Sequence, residues 1–285
     1  MMNASSSTQP PILVTGGSGK TGRRIVARLE ARGVPTRVGS RSADLPFDWH
    51  DSSTWAPALK GVTAVYIAYY PDLAVPGAAD TIQSFVDLAV ESGVRRLVLL
   101  SGRGEEDARR CEQIVQNAGV DWTVLRSTWF SQNFSEGFMR DLVLGGTVAL
   151  PAGDVEEPFV DVEDIADVAV AALIEPGHAG EVYELTGPRL LSFADAVGEI
   201  ADAAGRDVTY VPISREAFMS ALDEQGTPYE FKGLLDYLFS EVMDGRNSHL
   251  TDGVQRALGR PPRDFSDYAQ EAAAARSWDP QEASA

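Results

Sequence analysis

The sequence Pro11-Ile12-Leu13-Val14-Thr15-Gly16-Gly17-Ser18-Gly19-Lys20-Thr21-Gly22 runs from a short apolar segment straight into a glycine cluster, and Arg23 to Ala31 continues with helical periodicity. Strand, tight turn and helix in that order give Gly16, Gly19 and Gly22 a purpose. Glycine there permits a sharp turn, close backbone approach to a pyrophosphate, and tight contact of helix on strand; the helix start adds free N–H donors and a positive dipole end. The predicted cofactor contacts in this segment are Thr15, Gly16, Gly17, Ser18, Gly19, Lys20, Thr21 and Gly22. A triphosphate-binding P-loop needs a glycine five residues before Gly19, where this chain has Val14, so that reading fails on spacing.

The pattern repeats along the chain. Strands are predicted at about 34–39, 45–48, 63–68, 96–101 and 120–126, with helices across 78–92 and 105–118. Such alternation implies a Rossmann-type, doubly wound parallel sheet covered on both faces. After Arg126 punctuation residues crowd in, and the chain is expected to leave the sheet over about 129–157, returning at Pro158-Phe159-Val160, helix 163–174 and strand 182–186. Asp161 and Asp164 read as helix-start groups, and Ser192 and Ser214 as N-caps. The expected organisation is a leader over 1–10, a nucleotide-binding domain over 11–188, a smaller and mostly helical substrate lobe over 189–275, and a frayed tail over 276–285.

Where the second strand ends, about twenty residues past the loop, an NAD enzyme places an acid against the ribose diol. This chain instead has Ser40-Arg41-Ser42, which suits a 2′-phosphate and favours NADPH. Asp48 and Trp49 are expected near the adenine. Beyond the carboxyl ends of the strands lie Ala68, Tyr69 and Tyr70, then Ser101 and Arg103, then Trp129, Phe130 and Asn133; Ala68, Tyr69 and Ser101 are also expected to touch the cofactor. Tyr69 or Tyr70 is a candidate proton donor to a reduced quinone or enone, or else packs against the cofactor ribose. Ser101 either polarises an acceptor carbonyl or caps the helix that follows. Glu105, Glu106, Glu156 and Glu157 read as solvated carboxylates, or else as a grip on a cationic substrate.

Composition narrows the partners. A formal net charge of −18 opposes nucleic acid, whose binding is driven by cations on phosphates, and leaves a phosphorylated cofactor in need of locally gathered positive charge, for which Lys20, Arg23 and Arg24 are candidates. No apolar run approaches the roughly 20 residues of a membrane span. One cysteine and three scattered histidines give no disulfide and no metal spacing. The expectation is a cytoplasmic monomer or homodimer acting on a small molecule.

The glycine run, Gly93 to Ser101, Trp122 to Arg126, Trp129-Phe-Ser-Gln-Asn-Phe134 and Phe159 to Ala166 together resemble the NmrA-like atypical short-chain dehydrogenases. Phe47 to Trp55 and Gly259 to Phe265 look most like the branch with the ergot-alkaloid iminium reductases, agroclavine and festuclavine dehydrogenases. The resemblance implies NADPH and hydride transfer to an electron-poor acceptor such as a cyclic imine or iminium, a quinone or an enone. The Tyr-x-x-x-Lys pair of ordinary short-chain dehydrogenases is missing: between Ser101 and Val120 there is neither tyrosine nor lysine. A non-catalytic dinucleotide sensor and a redox-neutral cyclase or isomerase on the same scaffold therefore stand as alternatives.

Overall fold

The computed structural model describes residues 9–279; most of the expected leader, and residues 280–285 of the expected tail, lie outside the described residues. The chain opens with β1 (Ile12–Thr15), α1 (Lys20–Ala31), β2 (Thr36–Gly39), α2 (Trp55–Leu59), β3 (Ala64–Ile67), α3 (Ala78–Glu91), β4 (Arg96–Gly102), α4 (Glu106–Gln116) and β5 (Asp121–Ser127). It leaves the sheet through α5 (Asn133–Glu136), α6 (Phe138–Leu144), β6 (Thr147–Leu150) and β7 (Glu156–Glu157), and comes back through α7 (Val162–Ile174) and β8 (Glu181–Leu185). Then follow β9 (Leu191–Ser192), α8 (Phe193–Ala204), β10 (Thr209–Pro212), α9 (Arg215–Glu224), α10 (Tyr229–Tyr237), α11 (Gly253–Leu258) and α12 (Phe265–Ala274).

One six-stranded sheet, in the order β2-β1-β3-β4-β5-β8, is parallel throughout. Its inner strands β1 and β3 are buried on both faces, the edge strands β2 and β8 are partly exposed, and the side chains alternate between two cores. Ile12, Val14, Ala64, Tyr66 and Val98 join the α1 and α7 side. Leu13, Val65, Ile67, Leu97 and Leu99 join the α3 and α4 side, where Phe47, Trp49, Trp55 and Phe85 pack edge to face. Apolar residues at consecutive strand positions are thus what a doubly covered parallel sheet requires. A third core is built from the excursion after β5 and the C-terminal helices, around Phe134, Phe159, Phe193, Phe239 and Phe265.

Two segments depart from expectation. Residues 45–48 form no strand: only an isolated bridge pairs Asp48 with Asp51, because Phe47 and Trp49 turn into the aromatic core rather than along a sheet edge. Pro158 to Val160 also stays outside the sheet, its one bridge pairing Val160 with Phe130 beyond the end of β5. Asp161 caps α7 through the Glu163 amide at 2.9 Å, and Ser192 and Ser214 cap α8 and α9.

The expected tail is corrected at its start. Trp278 is 1% exposed, packs edge-on to Tyr268, and its indole N–H donates to the Phe134 carbonyl at 2.7 Å. An apolar ring with a satisfied N–H is a core residue, whatever its place in the sequence. Trp278→Ala is expected to cost about 3–5 kcal/mol of stability in chemical denaturation, as for other large-to-small core changes. An unchanged midpoint would contradict its role as a wedge between α12 and the start of α5.

Candidate active site

The turn from β1 into α1 is fixed by glycine contacts. A Cβ on Gly22 would stand 2.1 Å from the Gly16 carbonyl oxygen, and one on Gly17 would stand 2.9 Å from both Val14 O and a Val38 methyl. Gly16 has φ +61°, and the Gly19 amide closes the turn onto its carbonyl at 2.8 Å. Gly19 is the N-cap of α1 and brings no side chain to the first-turn amides. Those amides of Lys20, Thr21 and Gly22 are therefore available to an anion. α1 itself is held by α7 and α5: Arg28 reaches Asp167 at 2.7 Å, and Arg24 bonds to Glu163 and to Glu136.

Those ion pairs change the expected charge balance. Arg24 is spent on Glu136 and Glu163, and Arg23 on Glu136 at 2.7 Å, so neither supplies free positive charge to the loop. Lys20 does face the cleft, donating to Asn133 Oδ1 at 3.0 Å. Burial pulls its pKa below the ordinary lysine value, with Glu136 opposing. Arg41 lies outside the cleft at the end of β2; its guanidinium sits 6.0 Å from the ring centre of Tyr70, and among the described residues it is paired with no carboxylate. Ser40 and Ser42 lie beside it, their hydroxyls 3.3 Å apart.

A cavity of about 330 Å³ opens from the glycine loop along the carboxyl edge of β1, β3, β4 and β5. It gathers Gly16, Gly19, Lys20, Thr21, Ala68, Tyr69, Tyr70, Ser101, Arg103, Trp129, Phe130 and Asn133 from the predicted residues. Gly17, Ser18, Gly22, Ser40, Arg41 and Asp48 are not in its wall; Asp48 accepts the His50 amide at 3.0 Å in a turn. Thr15 and Trp49, also expected to touch the cofactor, are not in the wall either. The Thr15 hydroxyl, fully buried, stitches β1 to β3 through Tyr66 O and the Ala68 amide. Trp49 is a core ring whose N–H donates to Ala68 O at 3.0 Å. Both shape the wall from behind.

Ser101 is not a helix cap. Its hydroxyl donates to buried Glu112 at 2.7 Å, a carboxylate that Arg126 also holds, at 2.9 Å from its Nε, while reaching Glu184 at 2.6 Å. With its proton committed inward, Ser101 offers the cavity lone pairs rather than a donor. Arg103 is likewise committed: it donates to the carbonyls of Asn247 and His249, each at 3.0 Å, and pins the 247–249 loop over the end of β4.

Two of the four glutamates expected in solvent are buried. Glu157 is 0% exposed and accepts from Thr128 at 2.7 Å. Glu105 is 6% exposed and lines the cavity with Asp72. Burial first, and then the neighbouring Asp72 carboxyl, push Glu105 well above the usual carboxylate range. Sequence reasoning also missed Asp72, Asn247, Leu238 and Val242 in the cavity wall, the last two from a π-helical turn, Leu238–Val242, following α10. Gly102 was the available signal for Glu105, because a Cβ there would meet the carboxyl at 2.1 Å.

A family model described as NAD(P)H-binding matches residues 16–176, which hold the glycine loop and most of this cavity. The chain belongs to the NAD(P)H-binding family. It is 32% identical to agroclavine dehydrogenase of Claviceps fusiformis over 275 residues, 90% of this chain and 95% of the relative. It is 30% identical to prestalk A differentiation protein A of Dictyostelium discoideum over 283 residues, 93% of each. Its fold matches an NADPH-dependent quinone oxidoreductase of Escherichia coli solved with NADPH, at TM-score 0.74 and 23% identity over 91% of this chain and 99% of that one.

The residues present fit such a cofactor: a loop closed by glycines that no Cβ could replace, uncapped amides at the start of α1, and Lys20 beside them. Gly22→Ala is expected to lower NADPH affinity at least tenfold in a fluorescence titration, because the methyl group forces the loop off α1. Unaltered affinity would refute that role for the Gly16–Gly22 contact.

Proposed function

We propose that this protein is an NADPH-dependent oxidoreductase that transfers hydride to an electron-poor small molecule: a cyclic imine or iminium, a quinone or an enone. The single observation that carries the reading is the continuity of the cavity. It runs from the glycine loop to a wall formed by Tyr69, Trp129, Leu238 and Val242, so one space takes both a nicotinamide and an acceptor. The names of the curated relatives, agroclavine dehydrogenase among them, point to the same chemistry.

When bound, the reduced nicotinamide supplies the hydride. The chain's part is orientation and exclusion of water, which supply most of the catalysis when hydride transfer needs no proton. The amides of Lys20 to Gly22 would hold the pyrophosphate, and Lys20, fixed by Asn133, would add local positive charge against an overall −18. Arg41 would take the 2′-phosphate; Arg37, four residues earlier and on β2, is occupied by the carbonyls of Ala58 and Lys60. Trp129, packed edge to face against Phe193 and tilted against Phe239, and Phe130 form the apolar side that receives a flat acceptor. Ser101 and Tyr69 bound the reacting end.

Arg41→Ala is expected to weaken NADPH binding by at least tenfold and to leave NADH binding within about twofold, since it deletes one charge-assisted phosphate contact. Equal losses for both cofactors would refute the phosphate role. Stopped-flow absorbance with a panel of iminium, quinone and enone acceptors tests the reaction itself. NADPH bound tightly yet oxidised by none of them would replace the reductase with a dinucleotide sensor.

A further inference from the structure

Glu105 is a buried carboxyl in the cavity for which orientation alone gives no use. It stands at the N-terminus of α4, where it makes no capping hydrogen bond, and its side chain folds back over Gly102 at the end of β4. A Cβ at residue 102 would lie 2.1, 2.3 and 2.4 Å from the Glu105 Oε1, Cδ and Oε2 atoms, so the carboxyl occupies the space that a side chain at 102 would fill. Among the described residues Oε2 has no hydrogen-bond partner although it is shut off from solvent. The carboxyl of Asp72, from the loop after β3, is its neighbour on the same cavity wall.

Two adjacent carboxyls in a low-dielectric cavity cannot both be ionised, so they share a proton. The donors around them decide where it rests. Asp72 accepts the Ala74 amide at 2.9 Å, which favours its charged form, whereas Glu105 Oε2 receives no donor. Of the remaining groups facing Glu105, Glu112 of α4 is a second negative neighbour that acts in the same direction, and Tyr237 of α10 is a phenol that brings no charge. The nearest arginines are committed elsewhere, Arg126 to Glu112 and Glu184, and Arg103 to the 247–249 loop.

We propose that Glu105 is the proton donor for neutral carbonyl acceptors, quinones or enones, reduced in this cavity, with Asp72 as the positioning residue that keeps the donor protonated. The proposal rests on the reductase reading above. Hydride addition brings two electrons and one hydrogen to the acceptor and moves an electron pair onto its oxygen. The Glu105 O–H bond breaks, an O–H bond forms on that oxygen, and Glu105 is left as a carboxylate that regains its proton from water. A cationic iminium acceptor is discharged by hydride alone and needs no donor, which supplies the control.

The test combines carboxyl titration with single-turnover kinetics on the full chain. In protein carrying ¹³C-carboxyl glutamate, the resonance missing from Glu105→Gln should titrate well above the ordinary glutamate value of about 4.3, and Asp72→Asn should move it down. With NADPH, Glu105→Gln should slow reduction of 2-methyl-1,4-naphthoquinone by about 10²-fold or more, the scale of general acid catalysis. Reduction of a preformed dihydroisoquinolinium should stay within about twofold. Wild-type quinone reduction should fall as pH rises through the Glu105 titration, because the protonated form is the active one, and the iminium rate should not follow it. An ordinary titration, equal slowing of both acceptors, or no slowing of either would overturn the assignment. A raised titration with no acceptor consuming NADPH in the wild type would instead overturn the reductase reading, and the donor role would go with it.

Discussion

The structure hangs on the absence of one methyl group more than on any strong bond. Gly22 lies so close to the Gly16 carbonyl that a methyl group on it would sit at 2.1 Å, and this contact sets the angle at which α1 leaves β1. With that angle fixed, the uncapped first turn of α1 faces the carboxyl edge of the sheet, and Lys20 reaches across to Asn133 in the excursion after β5. Ion pairs from Arg24 and Arg28 to Glu163, and from Arg28 to Asp167, lock the far side of the same helix onto α7. The anion-binding turn is therefore held from both sides, by steric contact at one end and by charge along its flank.

The rest of the cleft is a problem of burying polar groups next to that turn. Glu112, at 2% exposure, is paired with Arg126 and accepts a hydrogen bond from the Ser101 hydroxyl. Arg103 is absorbed in fastening the 247–249 loop. These pairings leave Glu105 and Asp72 as the acids without a cation, on the cavity wall. A buried ion left unpaired is costly, and the cheaper state is a retained proton. Missing Tyr and Lys at the usual positions thus do not leave the cavity without acid–base groups; the acids arrive from other elements.

The sheet was readable because burial on both faces writes itself as consecutive apolar residues between glycine-rich turns, as in Ile12-Leu13-Val14 and Leu97-Val98-Leu99. Caps were readable for the same local reason: Asp161, Ser192 and Ser214 need only the amides two or three residues ahead. What failed needed distant partners. Phe47-Asp48-Trp49 alternates like a strand, yet its aromatic residues are claimed by Trp55 and Phe85. Glu105 sits in an acidic run, Glu105-Glu106-Asp107, that reads as solvated; the fold buries the first while the next two stay exposed. Trp278 follows a run of alanines at the end of the chain and is buried by a carbonyl 144 residues away. The cavity wall was legible where it came from strand ends and hidden where it came from Asp72, Leu238, Val242 and Asn247, whose positions depend on the C-terminal helices and loops.

The central claim is that one cleft holds the cofactor's phosphates at α1 and its reactive ring against the β4 edge. A crystal structure with bound NADP⁺ tests it most directly. The pyrophosphate should rest on the amides of Lys20 to Gly22, the 2′-phosphate on Arg41, and the nicotinamide should enter the cavity between Tyr69 and Trp129, with Ser101 and Glu105 lining the same space. A nicotinamide lying outside that cavity, with the phosphates still on α1, would contradict the account by separating the binding of the dinucleotide from any chemistry at Glu105.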